Sequence, residues 1–233
     1  MQFRQATRRT AVAVVPLIQQ LLRPRSVIDV GCGTGEWLAS MREAGISDVL
    51  GVDGDWVPRD QLQIPIGMFQ ALDLRQPLVL PRTFDLAMSL EVAEHLPAQA
   101  AETFIRSLVN LAPAVLFSAA IPFQGGTGHV NEQWPDYWQA LFEAYGYVCI
   151  DCFRWRLWDD ATIHAFIAQN LMLYVAPALL ASNARLRSEQ GKVSNFPSRV
   201  IHPGIYQIPS LQRLLRLVKP QLPQVAKRWF RGR

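Results

Sequence analysis

The chain has 233 residues, half of them hydrophobic, and a formal net charge of +4. That is room for one α/β domain and an appendage, and no apolar run reaches the roughly 18 residues that a membrane-spanning helix needs. The three cysteines, Cys32, Cys149 and Cys152, do not make a disulfide framework.

The charge is unevenly spread. Residues 1–25 hold five arginines and no acid, residues 26–181 seven basic and eighteen acidic side chains, and residues 182–233 eleven basic ones against Glu189. An acidic middle argues against nucleic acid lying across it, and leaves the basic ends to be explained.

In chain order, residues 1–25 predict an amphipathic helix packed on the domain, with Val14, Ile18, Leu21 and Leu22 at helical spacing. Its apolar run is cut by Gln19 and Gln20, and no small-residue cleavage site follows. It therefore does not read as a secretory leader, and a cytoplasmic protein is expected. Residues 26–176 alternate strand and helix. "SVIDVG" is a strand, "GEWLASMREAG" a helix closed by Gly45, and "DVLGVD" a strand. After a variable loop come the strand "FDLAMSL" and a helix beginning at Pro97. The strand "PAVLFSAAI", a helix from "WPDYW" to Gly146, and the strands "YVCIDCF" and "LMLYVA" follow. Such alternation predicts a doubly wound, parallel α/β sheet with helices on both faces. Cys149 and Cys152 are three apart on a strand and face opposite ways, so they share no metal and form no redox pair.

Residues 177–233 read as a basic C-terminal extension of helix and loop. "ALLASNARLRSEQ" predicts one helix and "SLQRLLRLV" a short amphipathic one. Leu211, Leu214, Leu215 and Val218 share a face flanked by Arg213, Arg216 and Lys219, and Trp229 and Phe230 lie among further cations. Such a segment can rest on an anionic membrane surface; it can equally cover the acidic body or a second subunit.

The glycines of "VIDVGCGTGEW" fall at Gly31, Gly33 and Gly35. A dinucleotide loop would put its third glycine at 36, where Glu36 stands. In a doubly wound sheet this loop lies at the ligand-binding switch point, and Asp53, ending the second strand, is placed to take two ribose hydroxyls.

"VIDVGCGTG", "LGVDGD", "ALDL" and "FDLAMSLEVAEHL" together resemble the motif series of class I S-adenosylmethionine-dependent methyltransferases, over roughly residues 25 to 176. The resemblance implies a Rossmann-like, mostly parallel, seven-stranded sheet. It implies that Asp29 and the backbone of Gly31, Cys32, Gly33 and Gly35 hold the methionine end of the cofactor. Asp53 and Gly54 would hold the ribose, Asp73 with Leu74 would meet the adenine amine, and Ser89, Leu90 and Glu91 would line the sulfonium pocket.

A sulfonium is already an activated methyl donor, so the acceptor decides the remaining chemistry; a hydroxyl needs a base or a metal as it attacks. "LEVAEHLP" places Glu91, Glu94 and His95 at the sheet's carboxyl edge, and "IPFQGGTGHVNEQWPDYW" adds His129 and Asn131. His129, His95 and Glu91 are the catalytic candidates, with His129 as base. Asn131, Trp134 and Trp138 are candidates for binding the acceptor, although Trp134, Tyr137 and Trp138 also fit a packed helical stripe. Glu91, Glu94, His95 and His129 resemble the Mg²⁺ ligands of ubiquinone-pathway O-methyltransferases and of small-RNA 2′-O-methyltransferases. Metal-free methyltransferases carry the same Glu-His pair, so the base is preferred and no metal is expected.

The stretches "GHVNEQWPDYWQALFEAYGY" and "WDDATIHAFIAQNLMLYV" are similar to methyltransferases of bacterial polysaccharide and glycan assembly. They imply an O-methyltransferase acting on a small-molecule or sugar hydroxyl. The alternatives are a metal-assisted RNA 2′-O-methyltransferase and a non-catalytic interaction protein built on the cofactor fold.

Overall fold

The computed structural model describes residues 2–192 and 198–205. The chain divides into a unit of residues 1–202 and one of residues 203–233. The short helix expected at 210–218, and Trp229 and Phe230, lie outside the described residues.

In the first unit, α1 (Gln2–Leu21) leads into β1 (Ser26–Val30), α2 (Glu36–Glu43), β2 (Asp48–Asp53), β3 (Phe69–Ala71) and β4 (Leu86–Leu90). Then come α3 (Ala101–Leu111), β5 (Ala114–Ser118), α4 (Pro135–Ala144) and β6 (Val148–Ile150). The series ends with α5 (Arg154–Leu157), α6 (Ala165–Asn170), β7 (Met172–Val175), α7 (Pro177–Ser182) and α8 (Ala184–Lys192). The seven strands form one sheet in the order β3-β2-β1-β4-β5-β7-β6. Strand order reverses between β1 and β4, which pair in parallel from Val27↔Leu86 to Asp29↔Met88. The turns that follow these two strands therefore flank a crevice, the position at which open α/β sheets bind ligands.

Alternating residues divide the core between the two faces of the sheet. Val27, Leu86, Met88, Leu116 and Leu173 pack with α1, α2, α6 and α8. Ile28, Val30, Ala87, Val115, Phe117 and Tyr174 pack with α3 and α4. Cys152, two residues beyond β6, belongs to the first layer and Cys149, on β6, lies against the second, so the two thiols are on opposite sides. From α1, Val14, Ile18 and Leu21 are buried as their spacing predicts. Pro16 interrupts that helix on its exposed face, where the carbonyl it leaves without an amide partner can meet water.

The structure departs from the sequence pattern at four places. β7 is antiparallel to both neighbours, because α5 and α6, four and six residues long, leave the chain to re-enter the sheet from the end at which it left. β3 is a three-residue edge strand inside the expected loop, too short to show an alternation. The helix expected from Pro97 opens with a 3-10 turn over Ala98–Ala100. The single helix expected over 178–190 is two. Asn183 adopts an extended conformation between them, and its Oδ1 accepts the backbone N–H groups of Arg185 (3.0 Å) and Leu186 (3.2 Å). Its Nδ2 donates to the Leu21 carbonyl (3.0 Å), tying α8 to α1.

Asn183→Ala removes a helix cap and that tie together. It should lower the unfolding free energy by about 1–2 kcal/mol, read as a lower urea midpoint at unchanged slope.

Candidate functional site

The crevice is built on the loop after β1. Gly31 has φ +88°, and a Cβ there would come within 2.3 Å of Val92 Cγ2, so this position requires glycine. The N–H groups of Gly31 and Cys32 donate to the Val52 carbonyl (2.7 and 3.2 Å), anchoring the loop on β2. Asp53, the last residue of β2, accepts the N–H of Gly33 on Oδ2 (2.7 Å) and of Gly54 on Oδ1 (2.6 Å). Glu36 accepts the Thr34 hydroxyl (2.8 Å) and Arg4 Nε from α1 (2.6 Å).

Three carboxylates thus crowd one loop. Burial pushes Asp29 up to about 8, and the charges of Asp53 and Glu36 add to the effect. Such a loop favours a cationic ligand.

Two cavities meet at this point. One, of about 260 Å³, is lined by Asp29, Gly31, Cys32, Glu36, Leu90 and Glu91. The other, of about 520 Å³, is lined by Asp53, Trp56, Asp73, Leu74 and His95, and again by Gly31 and Glu91. Asp73 is exposed and gripped by Arg75 (Nε–Oδ1 2.8 Å, Nη2–Oδ2 2.9 Å), whose hydrogen bonds hold its carboxyl below the usual range. Ser89, expected beside these cavities, lines neither; it is fully buried and its hydroxyl has no hydrogen-bond partner among the described residues.

The second group of candidates gathers after β4 and β5. Glu91 has φ +56°, and its N–H donates to both the carbonyl (3.0 Å) and the Oγ (3.1 Å) of Ser118. Burial raises its carboxyl, opposed by hydrogen bonds from Asn170 (3.1 Å) and Gln124 (2.8 Å). His129 Nδ1 meets Glu132 Oε1 at 2.9 Å, and its Nε2 faces Glu94 Oε1 at 4.0 Å. Glu132 also accepts the N–H groups of Phe123 and Gly125 (2.8 Å each), so one carboxylate staples the loop and orients the imidazole. Against the effect of burial, these hydrogen bonds hold Glu132 below the usual range.

His95 stands edge-on to His129 at 4.8 Å between ring centres. Burial, then the nearby His129, lowers its pKa. Glu94 is fully buried, and neither carboxylate oxygen has a hydrogen-bond partner among the described residues. Burial, reinforced by Glu91, pushes it up to about 8. Potential ligand atoms of Glu94, His95 and His129 all lie within 4.8 Å of one another. Glu91, the fourth residue of the metal alternative, does not join them, since its two oxygens are held by Asn170 and Gln124.

The acceptor-binding candidates are not brought to the crevice. Trp138 is 2% exposed and packs on Phe117 at 5.4 Å; it is a core residue and offers no face for stacking. Asn131 is buried, its Oδ1 accepting from Gln133 Nε2 (3.0 Å). Trp134 precedes α4 and lies beneath Arg199 (5.8 Å). Conversely, Glu132, Gln124, Asn170, Trp56 and Arg4 were not foreseen. Glu132 stands three residues after His129 and could have been suspected. Gln124 and Asn170 meet Glu91 across 33 and 79 residues, which no spacing reveals.

Residues 3–152 match the family model described as "Methyltransferase domain". No protein of curated function matches the sequence at a significant level. The fold is similar to Streptomyces venezuelae DesVI, at 15% identity over 72% of this chain and 91% of that one (TM-score 0.53). It is similar to the magnesium protoporphyrin IX methyltransferase ChlM of Synechocystis PCC 6803, solved with bound SAM, at 21% identity over 73% and 80% (TM-score 0.53). It is also similar to the sugar N-methyltransferase KedS8 of Streptoalloteichus sp ATCC 53650, at 16% identity over 72% and 86% (TM-score 0.53).

Asp29 and Glu94 both have folded-state values of about 8, well above the roughly 4 of an unfolded chain. Between those values the folded protein holds protons that the unfolded chain has lost. The stability due to the neutral carboxyls is complete below about pH 4 and is lost as pH rises towards 8. Unfolding in urea at pH 5 and pH 8 should show this decline, and Asp29→Asn and Glu94→Gln should each flatten it and raise stability at pH 8.

Proposed function

The chain belongs to the methyltransferase-domain family, and from that premise we propose that it moves the methyl group of S-adenosylmethionine onto a hydroxyl of a small molecule or sugar. The two joined cavities suit a ligand of two halves. Asp29, Glu36 and the glycine-loop backbone lie on the methionine side, and Asp53, Asp73 and Leu74 on the adenosine side. The α-ammonium and the sulfonium are both cations, which offset the crowding of carboxylates. Each Asp53 oxygen keeps a lone pair for a ribose hydroxyl beyond the backbone bond it accepts.

The observation that carries the choice of oxygen is the His129–Glu132 pair. With Nδ1–H donated to Glu132, Nε2 holds the lone pair and can take the proton of an attacking hydroxyl. A neutral amine attacks a sulfonium without such help. KedS8 is a sugar N-methyltransferase; the base built here favours oxygen as the methylated atom. The acidic body supports a neutral carbohydrate acceptor over a nucleic acid, as does the resemblance to methyltransferases of glycan assembly.

His129→Ala should lower kcat about 10²–10⁴-fold on a hydroxyl acceptor while cofactor affinity by calorimetry stays within about twofold. A panel of sugars and their amino analogues provides the acceptors. Turnover of amines alone, or undiminished turnover by the variant, would overturn the reading.

A second reading, metal-assisted transfer, is favoured by the unpartnered oxygens of Glu94 beside two imidazoles. One carboxylate and two nitrogens suit a borderline cation such as Mn²⁺ or Zn²⁺ better than Mg²⁺, which prefers oxygen ligands. Glu94, His95 and His129 would hold the ion, with Glu132 fixing the imidazole of His129. A bound cation there would lower the pKa of the acceptor hydroxyl. Activity abolished by chelation and restored by Mn²⁺ or Zn²⁺ would establish this reading; full activity in chelator would leave His129 as the base.

A further inference from the structure

Glu91 borders both cavities, together with Gly31. A ligand with one half in each cavity brings the atom that joins its halves to this border. In S-adenosylmethionine that atom is the sulfonium sulfur. When an acceptor oxygen forms its bond to the methyl carbon, the C–S bonding pair stays on sulfur, the acceptor proton passes to a base, and the sulfur becomes a neutral thioether. Substrate and product therefore differ in charge at the place where Glu91 stands.

Glu91 is also held more firmly than a wall residue requires. Its Oε1 accepts from Asn170 Nδ2 (3.1 Å) and its Oε2 from Gln124 Nε2 (2.8 Å). Asn170 Nδ2 also donates to Gln124 Oε1 (2.9 Å), closing a three-membered ring. Behind it, Asn170 Oδ1 accepts from Gln169 Nε2 (2.9 Å), and Gln169 Oε1 accepts the backbone N–H of His202 (2.6 Å). Gln169 and Asn170 are 0% and 3% exposed, so water does not replace these partners.

The direction of the relay is set from both ends. A carboxylate can only accept, so Asn170 and Gln124 must turn their NH₂ groups to Glu91. Asn170 then presents its oxygen to Gln169, which must answer with NH₂ and direct its own oxygen outward. The group waiting there is a main-chain N–H, which has no other orientation. That N–H belongs to a strap, residues 198–202, fastened along its length. Arg154 Nη1 donates to the Ser198 carbonyl (3.1 Å), Arg199 pairs with Asp136 (2.6 Å), and His202 Nε2 meets the Trp158 carbonyl (2.6 Å).

We propose that Glu91 reads the charge on the cofactor sulfur, distinguishing sulfonium substrate from thioether product, and that Gln169 and Asn170 are positioning residues through which the seated 198–202 strap keeps its carboxylate aimed. Methyl transfer then removes the attraction that held the substrate, favouring release of the product. This inference rests on the reading that the two cavities hold the cofactor.

The test is calorimetric titration of the full-length protein with S-adenosylmethionine and with S-adenosylhomocysteine, which needs no acceptor. Glu91→Gln, nearly isosteric but uncharged, should shift the ratio of the two affinities towards the thioether about tenfold. Gln169→Met, which breaks the relay without touching the cavities, should shift it in the same direction by about three- to tenfold, with thioether affinity within about twofold of the parent. Gln169→Asn, an amide one methylene short, takes its place if circular dichroism shows the methionine variant unfolded. An unchanged ratio in the Glu91 or the Gln169 variant would overturn the proposal, as would equal weakening of both ligands, the signature of a merely structural role. A parent protein that binds neither ligand would instead overturn the assignment of the cavities to the cofactor.

Discussion

Five carboxyl groups, those of Asp29, Glu36, Asp53, Glu91 and Glu94, are gathered with little solvent at the carboxyl edge of one sheet, and their mutual repulsion is the constraint to which the rest of the site answers. Each is met differently. Asp53 accepts backbone N–H groups from the loops after β1 and β2, Glu36 accepts from a hydroxyl and an arginine, and Glu91 accepts from two amides. Asp29 and Glu94 instead keep their protons to about pH 8. A crevice so arranged is preorganised for positive charge and stands to gain most from a ligand that supplies it.

The same constraint accounts for the basic ends of the chain, as far as they are described. α1 brings Arg4 to Glu36 and Arg8 to Glu43, and Arg4 also lines the smaller cavity. The N-terminal helix is thus a wall of the crevice as well as a cover for the first core layer. Further along, Arg156 and Lys192 meet Glu189, and Arg199 meets Asp136. Exposed pairs of this kind add little stability singly, but those of Arg4, Arg8 and Arg199 give the basic segments partners on the acidic body. Glu189 and Arg156, being largely buried, contribute more to placing α8.

Backbone strain marks where this order is maintained. Glu91 and Phe123 are non-glycine residues at positive φ, in the loops after β4 and β5. Such conformations persist only where the surroundings over-determine them. Around Glu91 the surroundings are Ser118 and the amide ring; around Phe123 they are Glu132, which also receives Gly125 and His129. The loops after β4 and β5 are therefore shaped by two acidic residues acting on backbone and side chain together.

The strands β1, β2, β4 and β5, the glycine loop and the acid at the end of β2 were legible in the sequence, because each is specified by a few consecutive residues. Buried β-branched runs, a glycine required by φ and by close approach to Val92, and Asp53 at a strand terminus are local signals. The family motifs lie on those same segments, so the position of the crevice was readable before the fold. Tertiary structure alone decided the direction of β7, which depends on where two short helices leave the chain, and the existence of β3, whose three residues carry no periodicity. It also decided that Trp138 fills the core, since a helical stripe of aromatics does not reveal which face is covered. Asn183 caps and divides the helix around it because Leu21, 162 residues away in sequence, accepts its other hydrogen bond. The Glu91 relay is the clearest case: Glu91 meets Gln124 and Asn170 across 33 and 79 residues. Polar side chains at such separations acquire roles only when folding removes the water that would otherwise satisfy them.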